Sequence, residues 1–321
     1  MREDPHPEPQ IKRKTAICTL FEGDYHLGLA AFVNSLARAG YTGTVWAGYR
    51  GPLPPWLNQL KRLCDTADHY SVTEGIRLEF IKLKTDIHFA NYKPQFMLHL
   101  LEHEAGDCEY LWYFDPDIFL RCNWSHFARW QRYGVALCEE IVNYNLSETD
   151  PLRWQWIEIG SAMGLGEPRA LNRYFNSGMV GIGSSHADLL QIWQRILREI
   201  SGTGIDLKSF MPGDRNLPFH SLDQDALNMA LMYSKHPLST MGPEAMGFVP
   251  SGFTMYHATS VKPWRGSMLL RALQGFPPSP AAKFFFNRVN SPIRAYSTSR
   301  LRVKRIDCAL AALVGRFYRR Q

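Results

Sequence analysis

The sequence predicts an α/β protein with a Rossmann-like central sheet, mixed but mainly parallel, that is flanked by helices. Strand-like runs of bulky apolar residues alternate along the chain with segments whose apolar residues recur every three or four positions. Such alternation is typical of strands joined by crossover helices. The chain has 321 residues, of which 45% are hydrophobic, so it can enclose a large core.

The first half of the chain contains four predicted strands and two predicted helices. Gly23 lies in the turn before the first helix, and Gly40 follows it in the position of a carboxyl-terminal cap. Pro94 is placed in the first turn of the second helix, where a missing N–H is tolerated. The predicted strands are residues 17–21, 44–49, 78–83 and 110–114, and the predicted helices are residues 27–39 and 94–101.

The second half continues the alternation with strands at residues 135–138 and 179–182 and helices at residues 187–200 and 223–232. The motif Phe175-Asn176-Ser177-Gly178 is interpreted as a turn that leads into the strand at 179–182. The last of these helices opens with Asp223 and Asp225, and acidic residues suit the positive end of a helix dipole.

An Asp-Pro-Asp motif follows the apolar strand at residues 110–114 and is the most informative feature of the chain. Pro116 cannot donate to a sheet ladder, so the strand should stop there. Ligands of α/β sheets bind beyond the carboxyl ends of strands, where Asp115 and Asp117 lie. Two carboxylates this close repel each other, which favours a cation between them. The alternative interpretation is a solvated turn.

A second cluster, His257 to Trp264, could complete a metal site. An imidazole can bind a divalent metal, and the ammonium of Lys262 can neutralise a diphosphate. Together with Asp115 and Asp117, His257 would form a carboxylate and imidazole set that suits Mn²⁺ or Mg²⁺. The alternative is a loop histidine that precedes a buried tryptophan, and Asp223-Gln224-Asp225 can likewise be only an acidic helix cap.

The order of these motifs resembles that of the nucleotide-sugar-dependent glycosyltransferases of the GT-A fold, over about residues 15–265. It is most similar to the retaining family 8, which includes glycogenin and the bacterial lipopolysaccharide galactosyl- and glucosyltransferases. The order is a first strand with Thr19 and the nearby Tyr25, then Asp-Pro-Asp, Phe-Asn-Ser-Gly, Asp-Gln-Asp and His…Lys-Pro-Trp. The interval from His257 to Lys262 is one residue shorter than in that family, and Ser260 stands near the family's usual glycine.

The resemblance implies a role for each matched residue. Asp115, Asp117 and His257 would bind Mn²⁺ or Mg²⁺, and Asp223 and Gln224 would act at the anomeric carbon. The donor, a nucleoside diphosphate sugar such as a UDP-hexose, would be held by Thr19, Tyr25, Lys93, Asp115, Asn176, Ser177 and Lys262.

The implied reaction is metal-dependent transfer of a hexose to a glycan or glycolipid acceptor, with retention of configuration. The metal and Lys262 would neutralise charge on the leaving diphosphate. A retaining enzyme needs no strong base, because the leaving phosphate can accept the acceptor's proton. An inverting enzyme needs a carboxylate on the opposite face, and Glu139, Glu140 and Asp225 are candidates.

Other classes of protein stay open. A nucleotidyltransferase would normally carry a Gly-rich phosphate loop near the N-terminus, and a sugar-nucleotide binding protein would lack turnover. A glycoside hydrolase would use two carboxylates and no metal. The acceptor region is expected in the less regular segments 143–173 and 201–219, where Trp154 and Trp156 could stack on a sugar or belong to the core.

The chain is divided into a polar tail (1–14), a catalytic domain (15–282) and a basic amphipathic segment (283–321). Ten of the 36 basic residues but one of the 30 acidic residues lie from Lys283 onward, so this segment carries +9 and residues 1–282 carry −3. Residues 1–282 are therefore not expected to bind nucleic acid. The residues that share one helical face are Val303, Ile306, Leu310, Leu313 and Phe317.

Such a basic amphipathic helix can lie on an anionic membrane. The alternatives are that the stripe packs on the catalytic domain or mediates a dimer. Residues 1–14 lack the apolar stretch of a signal peptide, and no apolar run reaches the length of a membrane span. The expected location is the cytoplasm, with the helix on the inner face of the membrane.

Overall fold

The computed structural model describes residues 14–141, 146–211, 217–259 and 261–318. The polar tail at 1–14, apart from its last residue, lies outside this part of the chain, as do Ser260 and parts of both segments expected to bind the acceptor. The described residues form a large central sheet with helices on both faces, which confirms the predicted α/β class.

Eleven strands occur within the described residues. They are β1 (Thr15–Glu22), β2 (Gly43–Arg50), β3 (Lys61–Arg62), β4 (His69–Thr73), β5 (Ile76–Lys82), β6 (Tyr110–Phe114), β7 (Ile118–Leu120), β8 (Val135–Glu139), β9 (Phe175–Gly183), β10 (Leu238–Met241) and β11 (Met255–His257). Nine of them form one sheet in the order β10-β8-β9-β6-β1-β2-β5-β4-β3, and β7 pairs with β11 apart from it.

Four central strands, β5, β2, β1 and β6, run parallel, so their carboxyl ends meet at one edge of the sheet. Strand β9 is antiparallel to both of its neighbours, β6 and β8. The beginning of β9 and the end of β8 therefore lie at the same edge as the end of β6. Residues far apart in the sequence converge there.

Nine helices occur in the same described ranges. They are α1 (His26–Arg38), α2 (Phe89–His99), α3 (Trp124–Trp130), α4 (Pro151–Ala162), α5 (Ala187–Gly202), α6 (Leu222–Tyr233), α7 (Met268–Leu273), α8 (Pro280–Arg288) and α9 (Thr298–Phe317).

The predicted start of the second helix at Pro94 is wrong, because α2 begins at Phe89. The side chain of His88 caps the helix by accepting a hydrogen bond from the N–H of Ala90 at 3.2 Å. Pro94 thus lies inside the helix, where it removes the hydrogen bond to the carbonyl four residues earlier. Burial of Phe89 and Ala90 on this first turn favours the helix despite that loss.

The predicted turn at residues 175–178 is also wrong, because these residues begin the continuous strand β9. Leu137 pairs with Val180 but the next residue, Cys138, pairs with Asn176, so β9 bulges between the two pairs. The amide of Asn228 holds the strand end by donating to the carbonyl of Phe175 and accepting from its N–H, both at 2.8 Å. Tertiary pairing outweighs the turn preference of asparagine, serine and glycine.

Apolar layers cover both faces of the sheet. Helices α2, α5 and α6 bury Phe96, Trp193 and Leu227 on one face, and α1 and α3 bury Phe32 and Phe127 on the other. The side chains of these layers are almost wholly removed from water. The sheet is thus fixed between two helical layers, which makes its edge a rigid support for side chains.

The C-terminal region shares a third apolar cluster with the catalytic domain. Phe285 of α8 contacts Trp264 and Phe119, so the predicted boundary at 282 falls inside a helix that packs on the domain. Asn34 of α1 also donates to the carbonyls of Arg288 at 2.7 Å and of Ile293 at 2.9 Å.

The predicted amphipathic helix is present as α9. Its buried residues are Leu301, Cys308 and Ala311, which face the domain. The predicted apolar stripe lies on the opposite side and is exposed, so it does not pack against the catalytic domain. Among the described residues, no helix is both long enough and apolar enough to span a bilayer.

Candidate functional site

A tight turn places Asp115 and Asp117 at the carboxyl end of β6. The backbone N–H of Asp115 donates to the carbonyl of Gly178 at 2.7 Å, and that of Ile118 donates to the carbonyl of Asp115 at 3.0 Å. Strand β7 leaves this turn and pairs with β11, with Ile118 opposite His257. The pairing of these two strands places His257 beside the two aspartates, although it follows Asp117 by 140 residues in the sequence.

Asp115, Asp117 and His257 form a candidate site for a divalent cation. The Nε2 atom of His257 lies 3.4 Å from Oδ1 of Asp117 and 3.7 Å from Oδ2 of Asp115. One ligand atom from each residue lies within 4.8 Å of the others. Because two carboxylates and an imidazole are donors that Mn²⁺ or Mg²⁺ accepts, the side chains fit the ion that the motifs predict.

Burial and neighbouring charges shift the pKa values of the two aspartates in opposite directions. Burial disfavours the ionised form of Asp117, but His257 and Lys262 outweigh this and hold its pKa well below the usual range. Burial raises the pKa of Asp115; Lys93 and His257 oppose this shift, while Asp117 adds to it. A bound cation would favour the ionised form of both groups.

Two glycines permit the close packing around the turn. A Cβ atom on Gly178 would lie 2.6 Å from Cε1 of His257 and 2.7 Å from Oδ2 of Asp115. A Cβ atom on Gly28 of α1 would lie 2.5 Å from the carbonyl oxygen of Pro116. Real Cβ contacts are longer, so side chains at these positions would push the aspartates or His257 out of place.

Lys93 links the metal-site carboxylates to the beginning of α6. Its side chain is 3% exposed, and Nζ lies 2.8 Å from Oδ2 of Asp223 and 3.4 Å from Oδ1 of Asp115. It also donates to the carbonyl of Ser177 at 3.1 Å, while the hydroxyl of Ser177 donates to Asp223 at 2.5 Å. Burial lowers the pKa of Lys93, but the two aspartates outweigh this and raise it overall.

Side-chain amides complete the floor of the site. Gln224 accepts a hydrogen bond from the backbone N–H of Ser177 at 3.1 Å. Asn176 accepts one from the N–H of Gly178 at 2.9 Å and donates to Oε2 of Glu140 at 2.5 Å. These hydrogen bonds hold Asn176 and Ser177 against Glu140 and the beginning of α6.

These residues line one cavity of about 940 Å³, large enough for a nucleotide sugar. Thr19 is the exception among the predicted site residues: it is wholly buried in β1 and does not line the cavity. The predicted residues that line it are Tyr25, Lys93, Asp115, Asp117, Asn176, Ser177, Asp223, Gln224, His257 and Lys262.

The three carboxylates weighed as bases for inversion differ in placement. Glu140 and Asp225 line the cavity, whereas Glu139 does not and pairs with Arg173 at 3.3 Å. Burial raises the pKa of Asp225 to about 7. Asp225 accepts hydrogen bonds from the Tyr174 hydroxyl at 2.6 Å and from the N–H of Ser221 at 2.7 Å, so both of its oxygens have partners.

The aromatic residues considered for binding donor or acceptor also differ in where they lie. Tyr25 stands at the cavity wall with its ring edge-on to Trp264, at a centroid distance of 5.5 Å. Trp156 belongs to the core and donates to the carbonyl of Pro218 at 2.7 Å. Trp154 is 55% exposed and does not line the cavity, so neither predicted tryptophan faces the site.

Sequence reasoning did not identify several supporting residues. The sequence predicts Tyr113 only as part of the apolar strand, yet its hydroxyl donates to Oδ1 of Asp115 at 2.9 Å. Its place two residues before Asp115 on the same strand face was the available signal. The contacts of Gly28 with the Asp-Pro-Asp turn left no signal in the sequence, because they depend on how α1 packs.

Comparisons with known proteins support the fold. No protein-family model and no curated protein matches the sequence. The apo structure of the bifunctional glycosyltransferase WbbM aligns with a TM-score of 0.54 at 14% identity, over 94% of this chain and 53% of WbbM. The glycosyltransferase GlyE of Streptococcus pneumoniae TIGR4 aligns with a TM-score of 0.52 at 14% identity, over 93% of this chain and 64% of GlyE.

The chain therefore spans between about half and two thirds of the length of these two proteins. At this identity the likeness concerns the fold alone, which is that of glycosyltransferases and matches the predicted architecture. The more specific expectation of family 8 rests on the motifs.

We predict that Gly178→Ala weakens Mn²⁺ binding roughly tenfold, a change of about 1.4 kcal/mol, because the added methyl group displaces His257 or Asp115. Isothermal titration calorimetry measures the affinity, and circular dichroism checks the fold. Gly183→Ala is the matched control on the same strand, since its Cβ atom would meet its nearest neighbour at 3.5 Å. Equal Mn²⁺ affinity in both variants would contradict the arrangement of the site.

Proposed function

We propose that this protein is a metal-dependent glycosyltransferase that moves a hexose from a UDP-sugar to a glycan or glycolipid acceptor. The observation that carries the proposal is the Asp115, Asp117 and His257 cluster with Lys262 beside it, at the wall of a nucleotide-sized cavity. The glycosyltransferase fold of the structural neighbours supports the same class of reaction.

The cavity offers separate groups to each part of the donor. Tyr25 would face the uracil base, since an aromatic ring can stack on a base. Asp115, Asp117 and His257 would hold Mn²⁺ or Mg²⁺, which would supply the positive charge that stabilises the leaving diphosphate. Lys262 would bind that diphosphate, and Asn176, Ser177 and Lys93 would face the sugar.

We propose retention of configuration at the anomeric carbon. Asp223 and Gln224 would lie beside the sugar, but Lys93 and Ser177 already engage the Asp223 carboxylate, which leaves it suited to stabilising positive charge rather than accepting a proton. The acceptor's proton would then pass to the leaving phosphate on the same face. Glu140 and Asp225, which also line the cavity, are the candidates if the reaction inverts.

The first test is hydrolysis or transfer of a panel of UDP-hexoses with Mn²⁺, with Mg²⁺ and in excess EDTA. We expect activity only with a divalent ion, and a loss of roughly a hundredfold or more in Asp117→Asn because charge on the leaving group goes unbalanced. Asp65→Asn, which changes an exposed aspartate, is the control. Full turnover in EDTA would contradict the proposal, and binding without turnover would favour a sugar-nucleotide binding protein.

The second test concerns stereochemistry. NMR of the first product formed should show the anomeric configuration of the donor. Asp223→Asn should lower kcat more than it raises KM, because its carboxylate would act mainly in the transition state. An inverted product would rule out retention and direct mutagenesis to Glu140 and Asp225.

We also propose that the exposed face of α9 binds an anionic membrane surface, which would bring the site to a glycolipid acceptor. The five residues of the apolar stripe are between 46% and 85% exposed. The neighbouring helix α7 packs against α9 through Asp307 and adds two exposed leucines, Leu270 and Leu273. Apolar area of this kind inserts among lipid headgroups.

Charge favours an anionic bilayer over a second copy of the chain. Asp307 is the one acid of α9, and it faces inward, where it accepts hydrogen bonds from the Ser267 hydroxyl at 2.6 Å and from the N–H of Met268 at 2.7 Å. Arg302 and Arg316 remain exposed beside the stripe. Two copies that met through this face would bring like charges together, whereas anionic headgroups would balance them.

Cosedimentation with vesicles tests this surface without donor or metal. We expect binding to phosphatidylglycerol-containing vesicles, weaker binding at high salt, and a loss of roughly tenfold in Ile306→Ser/Leu313→Ser because less apolar area inserts. Leu63→Ser/Val249→Ser is the control, since both residues are similarly exposed elsewhere, at 44% and 39%. Unchanged binding in the α9 variant would contradict the proposal, and a concentration-dependent dimer that the α9 variant abolishes would assign the face to a second copy.

A further inference from the structure

We propose that Lys262 competes with the metal for Asp117 and is exchanged from that carboxylate to the diphosphate when both ligands bind. Lys262 would then couple metal binding to nucleotide binding, beyond simply holding a phosphate. The inference rests on the proposed function, because it requires both a divalent ion and a nucleoside diphosphate at this site.

The two oxygens of Asp117 face two different side chains. Oδ1 lies 3.4 Å from Nε2 of His257, within the candidate metal site, while Oδ2 lies 2.5 Å from Nζ of Lys262. The side chain of Asp117 is only 4% exposed, so water does little to screen this pair. Lys262 therefore supplies the direct cationic partner of the buried carboxylate.

A divalent ion held by Asp115, Asp117 and His257 would stand next to the ammonium group. Because both cations would share one carboxylate, they would repel each other across a short distance in a poorly solvated site. The ion must therefore weaken or break the contact between Lys262 and Asp117, and this lowers the affinity of the site for metal alone.

The ammonium group of Lys262 can turn into the cavity when its contact with Asp117 is broken. It lines the cavity, its side chain is 14% exposed, and Nζ already lies 5.7 Å from the centre of the Tyr25 ring. Among the described residues, the one other hydrogen bond of Nζ is to the carbonyl of Ala258, at 2.7 Å. A diphosphate in the cavity would give the released ammonium a charged partner, so nucleotide would favour the state in which metal binds.

Lys93 shows the contrasting arrangement. It is 3% exposed and is held by Asp115, Asp223 and Ser177 from several directions, so no single ligand could release it. Lys262 has a single carboxylate partner among the described residues. The structure thus places one fixed and one exchangeable lysine beside the same metal site.

Titration of Mn²⁺ by calorimetry or electron paramagnetic resonance, with and without UDP, tests the exchange. In the unaltered protein UDP should strengthen Mn²⁺ binding. Lys262→Met keeps most of the aliphatic chain but removes the charge, so it should bind Mn²⁺ without nucleotide on the order of fivefold more tightly. The same variant should bind UDP more weakly and show less coupling between the two ligands.

Two variants serve as controls. Arg265→Met removes a positive charge three residues away that pairs with Asp24 and lies 5.2 Å from the Tyr25 ring, but does not contact Asp117. Its Mn²⁺ affinity should stay close to that of the unaltered protein. This result would show that the effect of Lys262→Met comes from the contact with Asp117 and not from a general change in electrostatic potential. Lys262→Arg retains the charge and should keep the affinity low, and circular dichroism confirms that each variant folds.

Unchanged or weaker Mn²⁺ binding in Lys262→Met would overturn the exchange. So would coupling between Mn²⁺ and UDP that persists at full strength in that variant. Failure of the proposed function looks different: neither the unaltered protein nor any variant would bind Mn²⁺ or UDP, which would remove the site on which the exchange depends.

Discussion

The burial of several carboxylates at one sheet edge is the constraint on which the site depends. Asp115, Asp117 and Asp223 are each largely withdrawn from water, and their mutual repulsion must be balanced by cations. Lys93 joins two of them and Lys262 contacts the third. Three carboxylates and two ammonium groups leave one negative charge, which a divalent ion would turn into one positive charge that an anionic ligand could balance. Charge neutralisation and the proposed binding of metal and donor therefore depend on the same few side chains.

The fold meets this constraint by packing short segments of the chain closely around the Asp-Pro-Asp turn. Strand β9 begins where β6 ends, so Ser177 and Gly178 lie against Asp115, and the β7–β11 pair delivers His257 to the same point. Gly178 and Gly28 allow these backbones to approach. Most of the proposed donor-binding groups thus stand on strands or near helix ends that two apolar layers fix, whereas Lys262 lies in the loop after β11.

Opposite sides of α9 face different surroundings. Buried Leu301, Cys308 and Ala311 attach α9 to the domain, while the apolar stripe faces away. A helix that repeats every 3.6 residues can present two such faces at once. Because the attachment is part of the third apolar cluster, a partner bound to the outer face would be held in a fixed orientation to the cavity.

Local patterns in the sequence predicted the fold class, the central strands, the amphipathic C-terminal helix and ten of the residues that line the cavity. Alternating periodicity and the order of short polar motifs carry that information locally. Three features follow only from tertiary packing: Thr19 is buried away from the cavity, Asn176 and Ser177 lie in a strand, and Lys262 contacts Asp117. These outcomes depend on which strands become neighbours and how closely they pack, and local residue preferences do not encode either.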